Sequence, residues 1–361
     1  MVQNRQSRVR MADVARESGV SLSTVSMVFG NKPGLPAETR MKVLAAARSL
    51  GYSPRRAGLA ASVAGALRTV GVVTRTRLNE IPRNDHFYSL VIAGIETACR
   101  QNNLAMLYST VHSDLENRPL EVPRLLQEGG ADGLLLVGIY LDRNLCKTVN
   151  QSQLPIVLVD SYAECDEFDN VVSDNFKGAY QATCHLIEKG HRNIGFIGGA
   201  ANSFPSFAER RRGYSQALHD HQICEAFFAD CISEREEAIE AARGLLGSHP
   251  ELTALVGVND FVAITAMHVA VELGRRIGDD LSIIGYDDIL LSESVIPQLT
   301  TMQVDKLAMG RTAVQLLVNR VAQPDLARIT ATMNTRLIVR NSIKAIPVGI
   351  QMPVETSPRQ N

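Results

Sequence analysis

The apolar positions of the chain follow two different patterns, and the change falls near Thr69. Before this point, apolar residues recur at the three- and four-residue spacing of short amphipathic helices. After it, short continuous apolar runs are separated by helical stretches, as in parallel strands that helices cover on both faces. The pattern predicts an all-α N-terminal region followed by a larger α/β body.

Three short helices are predicted between Arg10 and Tyr52. Gly19 provides the turn between the first two helices, and Ser21 is placed to cap the second. The third helix is predicted over residues 39–50. The residues expected to face the small core are Met11, Val14, Ala15, Val25, Val28, Val43, Leu44 and Ala47. Two short helices joined at a glycine turn have the spacing of a helix-turn-helix.

The body contains two successive series of predicted strands. The first series begins at Val70, Leu104, Gly133 and Ile156, and the second begins at Ile194, Ala254 and Leu281. Two such series predict two doubly wound parallel-sheet subdomains. In these sheets ligands bind at the carboxyl ends of the strands, so the polar residues that follow each run are candidate ligand contacts.

Four polar side chains stand out on this criterion. Asp160, Asn259 and Asp287 each follow an apolar run, and Arg210 lies in a charged run ahead of Gly213. An arginine there could clamp a carboxylate, a phosphate or a pair of hydroxyls. The alternatives are that the other three cap helices and that Arg210 belongs to a solvated charge run.

The charge distribution separates the two regions. Residues 1–62 carry ten Lys or Arg and three Asp or Glu, a net charge of +7, whereas the whole chain has −1. A basic module on an acidic body indicates a nucleic-acid partner for the N-terminal region. Hydroxyls at the start of the second helix suit phosphate oxygens, and Leu22, Ser23 and Met27 are placed for base edges. The alternative is a three-helix packing unit with no DNA role.

Other kinds of chemistry find no support in the sequence. The six cysteines form no CxxC pair or zinc-ligand spacing, and no phosphate-binding glycine motif or catalytic constellation occurs. No apolar run approaches the roughly 20 residues that span a bilayer, and the N terminus does not have the pattern of a signal peptide. We therefore expect buried thiols, no cofactor, no metal, no membrane contact, no enzymatic activity and a cytoplasmic location.

The N-terminal sequence resembles the LacI/GalR family of transcription regulators. The matching segments are MADVARESGVSLSTVS from Met11, ETR from Glu38 and LGYSP from Leu50. The resemblance implies a homodimer that places the second helix of each protomer in a major groove of operator DNA. The implied DNA-contacting residues are Leu22, Ser23, Thr24, Ser26, Met27, Asn31, Leu59 and Ala61.

Two positions depart from the family pattern. Met27 stands where the family often has Arg or His, and a thioether suits a thymine methyl rather than guanine. Ala61 stands where the family usually has a leucine that wedges into the minor groove, and Leu59 is the nearest leucine. We therefore expect an operator unlike the commoner family operators, and either a hinge helix shifted by two residues or a weaker minor-groove wedge.

The resemblance continues through the body to about Ser342. Its signatures include HLI from His185, IIGYDD from Ile283, PQLTT from Pro297 and LIVR from Leu337. It implies an effector domain similar to periplasmic sugar-binding proteins. The implied ligand-binding residues are Phe87, Tyr88, Asp160, Ser206, Arg210, Asn259 and Asp287, with Asp174 as a weaker member that could instead cap a helix. Many members have an aromatic platform near the position of Ser233, and none is present there.

The predicted organisation has four parts. A DNA-binding head covers residues 1–52, a hinge 53–67, an effector domain 68–342 and a disordered tail 343–361. The first subdomain is assigned to residues 68–165 and 294–325, and the second to residues 166–293 and 326–342. The favoured function is a repressor whose operator affinity responds to a sugar or sugar derivative. The alternatives are a regulator that responds to a nucleobase or another metabolite, and a small-molecule-binding protein with no DNA role.

Overall fold

The structure is a computed structural model of the chain. It describes residues 11–29, 35–50, 67–77, 86–165, 168–200, 203–231 and 235–346. The chain divides into two compact units, the helical N-terminal region and the α/β body.

Three helices surround a small apolar core in the N-terminal region. They are α1 (Met11–Ser18), α2 (Leu22–Phe29) and α3 (Ala37–Ser49). Ser21 caps α2 as predicted, because its Oγ accepts a hydrogen bond from the Thr24 N–H at 3.1 Å. The buried core residues are Val14, Val25, Val28, Val43, Ala46 and Ala47.

The prediction for Leu44 was wrong. Its side chain is 42% exposed, and Ala46 is buried in the core instead. The sequence of residues 43–47 is VLAAA, so the apolar pattern fits more than one face of α3. Only packing against α1 and α2 selects the face that becomes buried.

The body contains fourteen strands and nine helices within the described residues. The strands are β1 (Thr69–Arg77), β2 (Ala105–Ser113), β3 (Gly133–Val137), β4 (Tyr140–Leu141), β5 (Ile156–Val159), β6 (Tyr162–Ala163), β7 (Asp169–Ser173), β8 (Ile194–Ile197), β9 (Phe227–Ala229), β10 (Ala254–Gly257), β11 (Ser282–Asp287), β12 (Thr300–Gln303), β13 (Thr330–Met333) and β14 (Arg336–Ile338). The helices are α4 (Tyr88–Gln101), α5 (Arg124–Glu128), α6 (Arg143–Gln151), α7 (Asn175–Glu188), α8 (Pro205–Asp220), α9 (Arg235–Ser248), α10 (Asp260–Glu272), α11 (Leu291–Ser294) and α12 (Lys306–Ala322).

Two six-stranded sheets form the cores of two subdomains, as predicted. The first sheet has the order β13-β7-β5-β3-β1-β2, and the second has the order β14-β12-β11-β10-β8-β9. All neighbouring strands of these two sheets are parallel except β12 and β14, which are antiparallel. The central strands β3 and β5 are buried along their whole length, which explains their continuous apolar sequences.

The subdomain boundaries differ from those predicted. The strands β7 and β13 belong to the first sheet, and β12 belongs to the second. The chain therefore passes between the subdomains after β7, between β12 and α12, and between β13 and β14. Apolar runs indicate that a strand is present but not which strand it pairs with, so the sequence pattern misplaced these three strands.

Close contacts between helices position the elements that carry the candidate ligand residues. A Cβ atom added at Gly213 of α8 would overlap the Phe176 carbonyl oxygen of α7, and one added at Gly310 of α12 would overlap the Val91 carbonyl oxygen of α4. Glycine therefore allows backbone-to-backbone contact in both helix pairs. These contacts set the positions of α8 in the second subdomain and of α4 in the first.

The prediction of a disordered tail from residue 343 was wrong for residues 343–346. The Ile346 N–H donates a hydrogen bond to the Lys189 carbonyl at 2.7 Å, and the Lys344 carbonyl lies 3.1 Å from His191 Nε2. Residues 343–346 are therefore attached to the second subdomain, and His191 contributes to this attachment. Residues 347–361 lie outside the described part of the chain.

Candidate functional site

A buried arginine connects three elements of the second subdomain. From α8, Arg210 donates from Nε to Asn175 Oδ1 at 2.8 Å and from Nη1 to the Val258 carbonyl at 2.7 Å. Its Nη2 lies 3.1 Å from Asp287 Oδ1, and its Cζ lies 3.8 Å from the centre of the Tyr286 ring. These residues are called the Arg210 centre. A planar guanidinium suits such a site, because it offers donors in several fixed directions and an apolar face for the ring.

Electrostatics keep the Arg210 centre charged. Burial alone would lower the pKa of Arg210, but the neighbouring carboxylate of Asp287 outweighs it, and the pKa is raised. Asp160 acts in the same direction. Burial raises the pKa of Tyr162, so its hydroxyl stays protonated and neutral. Arg210 therefore keeps its positive charge although it is buried.

Three predicted residues from the first subdomain form a second group. The Tyr88 hydroxyl donates to Asp160 Oδ2 at 2.9 Å, and the Phe87 ring stands perpendicular to Tyr88 at 5.1 Å. Asp160 is buried and has a φ of +46°, at the carboxyl end of β5. Its negative charge, with that of Asp287, raises the pKa of Arg210.

Helix capping accounts for contacts of two other predicted residues. Asn259 Oδ1 accepts from the Val262 N–H at 2.9 Å and caps α10. Asp174 Oδ1 accepts from the Lys177 N–H at 3.1 Å and caps α7, which is the alternative considered for it. Ser206 is buried on the first turn of α8. Asn259 and Asp174 therefore position the N termini of α10 and α7, which follow β10 of the second sheet and β7 of the first.

A cleft of about 300 Å³ lies between the two subdomains. From the first subdomain its lining comprises Arg75, Arg77, Leu115, Glu116 and Asn117, and from the second it comprises Ala200, Ser203, Phe204, Phe207, Asp230, Cys231 and Glu237. None of the seven predicted ligand residues belongs to this described lining. The Arg210 centre instead borders it, because Arg210 Cζ lies 5.6 Å from the Phe207 ring and Tyr162 packs edge-on against Phe204 at 5.2 Å.

The sequence analysis missed the residues that line the cleft. Arg75 is a polar residue that follows the apolar run of β1, so it satisfies the criterion used for the other candidates. Phe204 and Phe207 lie after β8 but are apolar, so a search for polar residues does not select them. The phenylalanines are also three residues apart, which places both on one face of the first turn of α8. An aromatic platform is therefore present in the cleft. Ser233, near which many family members have theirs, lies outside the described residues.

Two buried charges hold the segment that contains Asp287. The Asp260 carboxylate accepts from the Ile289 N–H at 2.9 Å and the Ser292 hydroxyl at 2.7 Å. Burial, followed by the charge of Asp287, raises the pKa of Asp260 to about 7. Lys306 Nζ, at the start of α12, donates to the carbonyl oxygen of Asp287 and thereby links the two subdomains.

The helix α2 presents the predicted DNA-contacting residues that the structure describes. Leu22 is 52% exposed, Ser23 and Ser26 are exposed, and Thr24 and Met27 are partly exposed. The opposite face, with Val25 and Val28, is buried in the core. The predicted contacts Asn31, Leu59 and Ala61 lie outside the described residues.

Each of the two units matches a known protein family in sequence. Residues 10–55 match the model of bacterial regulatory proteins of the lacI family, and residues 183–343 match a periplasmic binding protein-like domain. The HTH-type transcriptional repressor PurR of Photobacterium profundum is 31% identical over 336 residues, which cover 92% of this chain and 98% of PurR. The chain belongs to the LacI family. Its function is that of a ligand-responsive, DNA-binding transcriptional repressor, and its relatives are regulators rather than enzymes.

Solved structures of the LacI family have the same architecture. The lac repressor dimer bound to operator and the anti-inducer ONPF is 27% identical, with a TM-score of 0.67, and covers 94% of this chain and 100% of its own. The complex of the transcriptional regulator CelR with cellobiose is 27% identical, with a TM-score of 0.66, and covers 93% of this chain and 100% of its own. The predicted fold class is therefore confirmed.

Further expectations concern cysteines, metals and membranes. All six cysteines are free, but only Cys99, Cys146 and Cys231 are buried and Cys224 is exposed, so the expectation of buried thiols was correct only in part. Burial raises the pKa of Cys231 to about 12. Within the described ranges, no cluster of His, Cys, Asp and Glu could hold a metal ion. Across those same residues, no helix has the length and apolar character needed to cross a membrane.

Proposed function

We propose that a small-molecule effector binds in the cleft and thereby changes the affinity of the N-terminal helices for operator DNA. The single observation that carries this proposal is a cleft of about 300 Å³ lined by both subdomains and bordered by the Arg210 centre. A ligand that contacts both sides favours one relative arrangement of the subdomains. An effector that binds one of two subdomain arrangements more tightly shifts the equilibrium between them. This shift couples the effector site to the DNA-binding site.

The lining of the cleft favours a sugar or sugar derivative as the effector. Phe204 and Phe207 offer apolar faces against which a sugar ring can pack, and Asn117 and Ser203 offer polar groups for its hydroxyls. CelR is described with bound cellobiose, which supports this class by similarity. A nucleobase is the second candidate, since the same two aromatic rings could stack on a flat heterocycle.

On the DNA side, we infer a homodimer with α2 of each protomer in a major groove. Leu22, Ser23 and Met27 would contact base edges, and the hydroxyls of Thr24 and Ser26 would contact phosphates. The lac repressor, described as a dimer bound to operator, supports this arrangement by similarity. Asn31, Leu59 and Ala61 stay predicted contacts of the head and hinge. A chromosomal target implies a cytoplasmic location.

Fluorescence anisotropy with fragments of the gene's own upstream region tests the DNA-binding part of the proposal. The wild-type chain should prefer one fragment, and Met27→Ala on α2 should weaken that preference. Met41→Ala on α3 is the matched control, because Met41 is 68% exposed and lies outside the proposed reading helix. Equal, salt-sensitive binding to every fragment would contradict a sequence-specific regulator.

A thermal-shift panel of sugars, sugar acids, nucleosides and amino acids tests the effector part. A compound that raises Tm should also change operator binding, and Phe207→Ala should reduce both effects. Arg210→Ala and Asp287→Ala should weaken binding as well, because they remove the charged centre that borders the cleft. If both variants keep full ligand affinity, the Arg210 centre has no part in ligand binding.

A further inference from the structure

Arg75 is an unusual lining residue of the cleft. It lies near the carboxyl end of β1, and its Nε is buried with no hydrogen-bond partner among the described residues. Within the same residues it forms no ion pair. Its one cation–π contact there is with Tyr88, whose ring centre lies 5.7 Å from Arg75 Cζ. A buried guanidinium donor loses its water without gaining an acceptor, which is unfavourable unless a ligand supplies one.

The other charges around the cleft are already balanced or exposed. Asp230 is paired with Arg211, and Arg77 and Glu237 each have an interaction within the protein. Arg210 is neutralised by Asp287. Glu116 is exposed to solvent and forms no ion pair with Arg75 among the described contacts. Arg75 is therefore the lining cation that lacks an acidic partner.

The second subdomain brings two further groups that favour an anion to the same cleft. The Ser203 hydroxyl is buried and has no hydrogen-bond partner within the described residues. It lies just before α8, a helix of 16 residues whose N-cap residue, Phe204, provides no side-chain cap. At this N terminus Pro205 has no N–H, and the Phe207 and Ala208 N–H groups donate to the Phe204 carbonyl. The partial positive charge of the helix, rather than a set of free N–H groups, therefore favours a negatively charged ligand group there.

We infer that the effector carries a carboxylate or phosphate group, which Arg75 binds from the first subdomain and Ser203 and the N terminus of α8 bind from the second. The effector class is then a sugar acid or a sugar phosphate rather than a neutral sugar. This inference rests on the proposed function, because it assigns the ligand class of the same cleft. It also gives the ligand a contact on each subdomain, which is what an effector of this fold requires.

Inorganic phosphate tests the anion site without knowledge of the effector. The intact protein is titrated with sodium phosphate, with sodium chloride at matched ionic strength as the reference, and Tm is recorded. Phosphate stabilises proteins generally through exclusion from their surface, so the readout is the difference between variants. Wild type and Arg100→Gln, an exposed control on α4, should gain more Tm than Arg75→Gln. Equal gains in all three proteins would overturn the inference.

Matched ligands then distinguish the two anionic groups. Galactose, galacturonate and galactose 6-phosphate, together with the corresponding glucose compounds, are titrated by calorimetry. An anionic member should bind at least roughly tenfold more tightly than its neutral parent, as expected for a charge-assisted hydrogen bond. Arg75→Gln should abolish that preference, and Arg75→Lys, which retains the charge, should restore part of it.

The outcomes separate this inference from the proposed function. A neutral sugar that binds wild type and Arg75→Gln equally, and also changes operator binding, would overturn the anionic class and leave effector control intact. An anion preference that depends on Arg75 but never affects operator binding would support the site and contradict the proposed function.

Discussion

Replacing Arg210 by methionine removes the cation of the Arg210 centre while keeping a long side chain. The change leaves the carboxylate of Asp287 buried without its cation, and it leaves Asn175 Oδ1 and the Val258 carbonyl without their donor. Breaking a buried ion pair from one side costs about 3–5 kcal/mol. For a body of this size, each kcal/mol lowers Tm by roughly 2–3 °C, so we expect a decrease of roughly 6–15 °C.

A double-mutant cycle measures the pairing itself. The proteins compared are wild type, Arg210→Met, Asp287→Asn and the double variant, and their free energies of unfolding come from urea denaturation. The Asp287→Asn variant has no charge at position 287. In that variant, Arg210→Met should therefore lower the free energy of unfolding by at least about 1 kcal/mol less than it does in wild type. Effects of the two substitutions that add to within about 0.5 kcal/mol would refute the pairing.

An exposed ion pair provides the matched control. Arg276 and Asp280 are four residues apart in the connection between α10 and β11, with the guanidinium 2.8 Å from the carboxylate, and both side chains are exposed. Water and salt screen such a pair, so the same cycle applied there should give less than about 0.5 kcal/mol. A coupling energy at Arg276 as large as that at Arg210 would show that burial does not set the strength of the pair.

Three further predictions concern stability. Ser21→Ala removes the cap of α2 and should cost about 1 kcal/mol in thermal unfolding of the head; no change would contradict the capping role. Gly285→Ala should destabilise the body by more than about 2 kcal/mol, because its Cβ would overlap Asp260 Oδ1, whereas Gly244→Ala, with open space around it, should be neutral or stabilising. Burial lowers the pKa of His191 below its ordinary value of 6.5, so its contribution to stability is complete above pH 6.5 and is lost as pH falls below it. His191→Gln should therefore flatten the decline of Tm between about pH 7 and 5, and an unchanged slope would exclude His191 as its source.

The strands were predicted most accurately where both faces of the strand are buried. The bounds of β3, β5 and β8 coincide with the apolar runs of the sequence, because every residue of these strands is buried. The strands assigned to the wrong subdomain, β7, β12 and β13, contain alternating or polar residues such as Asp169 and Thr300. Their sheet is decided by long-range pairing, which local periodicity does not encode.

The candidate site was also predictable only in part from the sequence. Polar residues after buried strands identified Asp160 and Asp287, and the family resemblance added Ser206, so the charged centre was predictable. The cleft lining was not, because it depends on how α8 is placed, and a contact between Gly213 and the Phe176 carbonyl decides this. Such a contact joins residues far apart in sequence, so no local pattern shows that Phe204 and Phe207 face the cleft.

Asp287 connects the Arg210 centre to the first subdomain. Its carboxylate pairs with Arg210 on α8, and its backbone carbonyl accepts a hydrogen bond from Lys306 at the start of α12. Lys306 Nζ also lies 5.8 Å from the centre of the Phe87 ring, just before α4. A ligand changes a conformational equilibrium only through contacts that differ between the two arrangements. In the proposed function, an effector that moves α8 would also move Arg210 and the Asp287 paired with it. Because the Asp287 carbonyl accepts a hydrogen bond from Lys306, closure of the cleft would then change the packing of α12 against α4.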